Sequence, residues 1–361
     1  MGSLIKRLKH IRFIGGKPRL AYRIAGNILN SAILNRPRLR NIQIALTYRC
    51  NFVCSFCSAT TLNSKKKEMT LPEVRHIWDN VKRLGVVHVD LTGGEPTLRD
   101  DLPEIIRYIA KDKDTIVSIA TNGFLMTPER VQLYKKAGLN SVFVSLHSMN
   151  PKVQDKISGV KGSYDKALQA MANASSAGLN VCINSVITSE NFDDIKKIID
   201  FAEKKDYLVL LEPIATIGRS INDSEDRKIT GFYEEYMSLL RKHHVRADTT
   251  TNFRNLGSSE LCPGGIEKWY ITAYGEVLQC SFVQVTYGNL LTEDAKEIYR
   301  RMTSFPILCR RSKKCKHVFD EDFIRDWFDP IREQASLPLK AEEHRLVKGD
   351  SSLAKHLKKK R

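Results

Sequence analysis

Between about residues 42 and 243 the chain repeats one pattern six times: a short apolar run, then a segment of helical periodicity. Strands over 42–48, 86–91, 115–120, 141–146, 181–187 and 207–211 each lead to a helix. The helices run over 71–84, 102–110, 128–137, 164–177, 192–204 and 232–241. Thr70 with Pro72 and Glu73 opens the first of these, and Gly138 and Gly178 close two others. The strands read as apolar nearly throughout, as expected when helices cover one face and something else fills the other. Right-handed crossovers then give a parallel sheet. Six such strands, if curved, close only part of a barrel with its site at the strands' C-terminal ends. An open doubly wound sheet has the same spacing.

After residue 245 the pattern changes. Short strands over 269–273 and 276–282 flank Tyr274-Gly275 as a hairpin, and a short helix covers 295–302. A last helix is expected over 323–334, and 335–361 reads as weakly ordered. The chain therefore divides into 1–40, 41–245, 246–320 and 321–361. Its 361 residues carry a formal charge of +17. Residues 1–40 hold ten Lys and Arg with no Asp or Glu, and 355–361 add five more, so the middle is nearly neutral. Leu20, Ile24, Ile28 and Leu29 have helical spacing, and Leu4, Leu8 and Ile11 lie among Lys6, Arg7, Lys9 and Arg12. Such a segment either lies on an anionic membrane surface or packs against the bottom or open side of the barrel. No run of eighteen apolar residues occurs and the start is not a secretory signal, so the expected location is cytoplasmic, with peripheral attachment to the membrane's inner face as the alternative. Nucleic acid is not an expected partner, for no zinc finger, RNA-binding motif or aromatic stacking strip is found.

Eight cysteines in a long chain without an export signal read as metal ligands before disulfides. Cys50, Cys54 and Cys57 sit just past the first strand. Three thiolates at this spacing suit iron–sulfur or zinc. Structural zinc wants four ligands, so three suggest a cluster with one open iron. This CxxxCxxC, with Phe56 before its last cysteine, resembles the signature of the radical SAM superfamily. The resemblance covers about 42–245 and implies a partial (β/α)6 TIM-type barrel in an α/β fold. It implies that the three cysteines hold a [4Fe–4S] cluster whose open iron binds S-adenosylmethionine (SAM). One electron then releases a 5′-deoxyadenosyl radical, which removes hydrogen from a substrate. A low-potential donor such as flavodoxin or ferredoxin is the implied electron source.

Further motifs follow at successive strand ends. Gly93-Gly94-Glu95-Pro96 matches the family's GGEP, which holds the amino group of the methionine moiety. Two glycines allow close approach and a carboxylate can pair with an ammonium. By resemblance Thr121 and Asn122, then Ser145 and His147, flank the ribose and the methionine carboxylate. Asn184 and Val186 lie where a family segment touches ribose or adenine. Many relatives have Arg-Gly where this chain has Ser158-Gly159, which makes Lys156 or Lys161 the candidate replacement. Glu212 closes the sixth strand as a candidate substrate contact or general base, and Arg219 as a candidate anion site.

Cys262, Cys280, Cys309 and Cys315 supply a second complete ligand set. Their region resembles the opening of SPASM and twitch extensions, but it lacks cysteines for two clusters. It is expected to be a small C-terminal iron–sulfur domain, twitch-like, with one auxiliary [4Fe–4S] cluster. A structural zinc site is the alternative. Cys182 is expected to be a small buried side chain. The implied enzyme is a radical SAM oxidoreductase acting on an unactivated C–H bond of a small metabolite or lipid-linked substrate, with the auxiliary cluster accepting an electron. The alternatives are a maturase that oxidises or crosslinks a ribosomal peptide, and a redox-neutral epimerase or rearrangement enzyme.

Overall fold

The computed structural model describes residues 17–30, 34, 38–220, 232–240, 242, 244–246, 262–304, 318, 320–332, 334 and 336–349. Helix α1 (Pro18–Ile28) precedes β1 (Asn41–Thr47). The alternation then runs α2 (Leu71–Val81), β2 (His88–Gly93), α3 (Leu102–Ala110), β3 (Ile116–Thr121), α4 (Pro128–Ala137) and β4 (Ser141–Ser145). Two helices follow β4: α5 (Pro151–Ser158), which the sequence pattern did not mark, and α6 (Ser163–Ser176). The series closes with β5 (Asn180–Ile187), α7 (Ile195–Lys205), β6 (Leu208–Pro213), α8 (Phe232–Leu239) and the short β7 (Val245–Arg246).

Local chemistry explains the boundaries. Glu73 Oε2 accepts from both the backbone N and Oγ1 of Thr70, at 2.7 Å each, and this capping box starts α2. Thr127 caps α4 through its accepted bond from Arg130 N. Gly138 ends α4 at φ 109°, a left-handed conformation that costs other residues a steric clash.

Strands β1 to β7 are parallel and neighbours in order. The sheet is not closed, which makes the architecture a partial barrel. Beyond β1 it continues through β8 (Lys268–Ile271), β9 (Glu276–Leu278), β10 (Val285–Asn289) and β11 (Leu339–Lys340). The expected hairpin, β8 with β9, thus extends the barrel sheet itself, because β8 pairs in parallel with β1. Helix α9 (Ala295–Thr303) and a helical run through Glu321–Phe323, Ile324–Phe328 and Asp329–Arg332 complete it. Contrary to the expectation for 335–361, Leu339, Ala341, His344 and Val347 are buried, His344 against Trp327 with ring centroids 3.9 Å apart.

The two faces of the sheet differ more than the sequence suggested. Ile42, Ile44, Val89, Leu91, Val117, Ile119, Val142, Val144, Val181 and Ile183 pack under the helices in one core. The alternate positions form an inner face that includes His88, Asp90, Ser118, Ser145 and Asn184. Polar residues therefore take the positions that were read as part of continuous apolar runs. The cause is the twofold period of a strand: one face meets helices and the other meets an open trough.

Helix α1 covers the bottom of this barrel. Leu20 and Ile24 pack on Val87 and Ile116. Lys17 Nζ donates to Thr115 O at 2.9 Å, and an Arg23 guanidinium N–H to Val86 O at 3.0 Å. Of the two readings for the N-terminal segment, packing on the barrel holds for Leu20 and Ile24 of α1. Leu4, Leu8 and Ile11 lie outside the described residues. No helix among the described residues is long and apolar enough to cross a membrane.

Candidate active site

The cysteine loop follows β1 and is held almost entirely through its backbone. Val53 N donates to Ser158 O at 3.1 Å and Ser55 N to Ile157 O at 2.9 Å. Ser158-Gly159, the departure from the Arg-Gly pattern, therefore works as a backbone rail. Gly159 adopts φ +69°, and a Cβ there would lie 2.6 Å from Val53 Cγ2. From the other side, Arg219 N donates to Cys57 O at 3.2 Å and an Arg219 guanidinium N–H donates to Cys54 O at 3.1 Å. Arg219 thus braces the loop. Lys156 pairs with Glu190 at 3.2 Å.

Burial raises the Cys50 thiol, and it pushes Cys54 up to about 12 with the charges of Cys57 and Cys50 adding to the rise. The neighbouring Cys57 contributes to the rise at both Cys50 and Cys54. Thiolates here need a compensating cation, which is what a cluster's iron supplies. Among the described residues, no three His, Cys, Asp or Glu side chains converge on a single metal ion.

The GGEP loop lies directly over this segment. Gly94 N donates to Thr47 O at 2.7 Å and Glu95 N to Arg49 O at 2.9 Å. Glu95 is fully buried. Its Oε1 accepts from Thr97 N, Thr97 Oγ1 and Thr121 Oγ1, and its Oε2 from Asn122 N at 2.8 Å. The carboxylate was expected to pair with an ammonium. Buried among these donors, it also clamps the ends of β2 and β3 together. Burial nonetheless raises its pKa. Asn122 Nδ2 in turn donates to Asn51 Oδ1 at 2.8 Å, which ties β3 to the cysteine loop.

The second half of the rim comes from β4 to β6. His147 is buried, and its Nδ1 accepts from Val186 N at 3.1 Å. That bond fixes the neutral tautomer with the proton on Nε2, which has no partner among the described residues. The Phe56 and His147 rings meet edge to face at 4.7 Å, joining the cysteine loop to this half. Ser145 pairs in register with Asn184, and Val186 with Glu212, so Glu212 sits beside the His147–Val186 contact. Asn184 Oδ1 is buried and has no hydrogen-bond partner among the described residues. Cys182 lies on the same inner face, buried as expected.

Burial lowers the pKa of His147 to about 4. A depressed histidine pKa means that the unfolded chain binds more protons between the two values. Stability from this group is therefore complete above about pH 6.5 and is lost as pH falls toward 4. The expected loss is about 3 kcal/mol over that window, and His147→Gln should remove it. Urea unfolding of parent and variant at pH 4, 5, 6 and 7 checks this, and equal slopes would refute it.

Sequence reasoning missed Gln284, for nothing local marks it. It is fully buried between the two cysteine regions. Its Nε2 donates to Ser58 O at 3.2 Å and to Ser281 O at 3.4 Å, and its Oε1 accepts from Thr61 Oγ1 at 2.7 Å. One side chain thus bonds the residue after Cys57 and the residue after Cys280. Beside it Tyr48 and Tyr270 approach at 3.4 Å between hydroxyls. Cys262 and Cys280 are near enough for the charge of the first to raise the second, after burial, to about 12. Cys309 and Cys315 lie outside the described residues.

Residues 44–202 match the Radical SAM superfamily. A probable GTP 3′,8-cyclase of Sulfolobus acidocaldarius is 34% identical over 293 residues, spanning 75% of this chain and 93% of that protein. The chain belongs to the radical SAM superfamily. An AdoMet-dependent heme synthase of Methanosarcina barkeri is 27% identical over 303 residues, 76% of this chain and 85% of that protein. Among solved structures, Streptococcus suis SuiB bound to precursor peptide SuiA has the same fold, with a TM-score of 0.57 at 18% identity over 80% of this chain and 69% of that one. SuiB has also been solved with S-adenosylmethionine. This radical SAM chain is accordingly an enzyme that uses a [4Fe–4S] cluster and SAM. Its residues fit that pair: three neighbouring thiols, glycine backbone at the end of β2, and an unsatisfied Asn184 oxygen on the opposite rim.

Proposed function

We propose that this radical SAM enzyme oxidises a small polar substrate held in the trough of the sheet, with an auxiliary cluster on Cys262, Cys280, Cys309 and Cys315 as electron acceptor. In this reading Cys50, Cys54 and Cys57 hold the SAM cluster. Gly93, Gly94 and Pro96 shape the backbone that receives the methionine moiety, while Glu95, Thr121 and Asn122 hold it in place. Phe56, Ser145, His147, Asn184 and Val186 line the rest. When bound, cluster and SAM supply the radical that takes one hydrogen atom from the substrate. The substrate then loses one proton and one electron, a net two-electron oxidation. In this reading Glu212, paired in register with Val186 at the rim, accepts the proton.

The observation that carries the oxidative reading is Gln284. A buried side chain bonded to both Ser58 and Ser281 gives a short covalent and hydrogen-bonded route between the two cysteine loops. The polar inner face supports a polar substrate: His88 Nε2 meets Ser118 Oγ at 2.7 Å, and Ser118 also bonds Asp90. Burial opposes ionisation of Asp90, yet His88, Ser118 and Lys268 hold its carboxyl below the ordinary range. A peptide substrate is the second reading. It is supported by the open edge of the trough and by the fold shared with SuiB, which is solved with a precursor peptide.

Cys280→Ala tests the proposal. Expected are a loss of about four irons per chain, retained SAM cleavage to 5′-deoxyadenosine and loss of the oxidised product. Unchanged iron content would remove the auxiliary cluster. Lost iron with unchanged product would make the chemistry redox-neutral.

A further inference from the structure

The end of the barrel opposite the active site carries a second constellation. Gly85, Leu84 and Arg83 from the turn before β2, Arg38 and Leu39 from the approach to β1, and Tyr299 of α9 line a cleft of about 240 Å³. Arg38 and Arg83 are exposed, and neither forms an ion pair with a carboxylate among the described residues. Helix α1 ends beside this cleft, where Asn27 Nδ2 donates to Gly85 O at 3.4 Å.

The outer side of α1 is apolar where a free surface would be polar. Tyr22 and Leu29 lie seven residues apart, on the side opposite the buried Leu20. Tyr22 is 82% exposed, Leu29 48% and the nearby Leu34 51%. They are three of the six large apolar side chains exposed among the described residues. Gly26 lies on this side too, and a Cβ there would meet nothing within 4 Å. Arg19, also exposed and without a carboxylate partner among the described residues, borders them. Residues 1–40 bring ten cations and no anion to this end of the chain.

We propose that this end of the barrel is a docking surface for a bilayer bearing anionic phospholipid. Tyr22, Leu29 and Leu34 enter the interface, and the Arg38–Arg83 cleft receives a phosphate headgroup. The pairing of exposed aromatic and aliphatic side chains with exposed arginines is the chemistry of an interfacial anchor. Of the apolar positions with helical spacing in this segment, Leu29 faces outward. Leu20 and Ile24 hold the helix to the protein, and its opposite face meets the lipid. This orientation turns the mouth of the trough, at the C-terminal strand ends, away from the bilayer. The substrate then arrives from water.

Co-sedimentation of the full, cluster-loaded chain with vesicles tests this. The parent should bind mixed phosphatidylcholine–phosphatidylglycerol vesicles and leave pure phosphatidylcholine vesicles unbound. Arg38→Gln with Arg83→Gln should weaken binding about 30-fold, at about fivefold per arginine. Tyr22→Ser with Leu29→Ser should weaken it roughly tenfold. Both variants should cleave SAM at the parent rate, which certifies their fold. Should the arginine variant fail to fold, the Tyr22 and Leu29 pair, which lies outside the cluster of Leu20, Ile24, Val87 and Ile116, decides the matter alone. Unchanged binding in a folded variant, or no preference for anionic vesicles, overturns the proposal. So does capture by heparin without capture by vesicles, which would assign the surface to a different polyanion.

Discussion

Replacing Cys50, Cys54 and Cys57 together with alanine will remove about four irons per chain and reduce SAM cleavage by more than roughly a thousandfold. The fold should survive the change. The loop is held by the backbone bonds of Val53, Ser55 and Arg219 to Ser158, Ile157 and Cys57, none of which uses a thiol. Burial and the neighbouring thiols make Cys50 and Cys54 costly to ionise without a metal, so their removal costs the apo chain little. Iron and sulfide analysis with a 5′-deoxyadenosine assay reads the result. Residual cleavage at a tenth of the parent rate would contradict the assignment of the three ligands. Any iron that remains in the variant reports on the second site.

Gly93→Ala is the second large effect. Gly93 has φ +135°, and an added Cβ would lie 2.1 Å from Thr47 O. The obstacle is the backbone of β1, which cannot swing aside as a side chain can. Relief requires β1 and β2 to part just below the cysteine loop. The same movement would strain the bonds from Gly94 N to Thr47 O and from Glu95 N to Arg49 O. Destabilisation of about 3–5 kcal/mol is expected, together with loss of SAM binding. Thermal unfolding should show a fall in Tm of roughly 10 °C. A variant with parental Tm and parental SAM affinity would show that the loop has more room than this close packing allows.

Much of the site was legible because its parts are local in sequence. The cysteine triplet, the GGEP segment and the residues after β3 and β4 each sit at a strand end, and period alone locates strand ends. The use of those residues was less legible. Glu95 reads in sequence as a partner for an ammonium, and only the fold shows that its carboxylate is buried and also accepts from Thr97, Thr121 and Asn122. Arg219 reads as an anion site and braces the cysteine loop across a long stretch of chain. Gln284 has no sequence signal of any kind, because its meaning lies in two carbonyls, Ser58 O and Ser281 O, that only folding brings together.

The sequence by itself determined the parallel α/β alternation, the cluster ligands' spacing and the order of the motifs along the strand ends. These follow from side-chain period, thiol chemistry and glycine's freedom, all of which act over a few residues. Only the tertiary structure decided that the C-terminal hairpin continues the barrel sheet beside β1, and that the inner face of the strands is polar. It alone decided that α1 seals the bottom with one face and presents Tyr22 and Leu29 on the other. Such outcomes depend on which distant surfaces exclude water from each other, and a linear pattern records each surface without recording its partner.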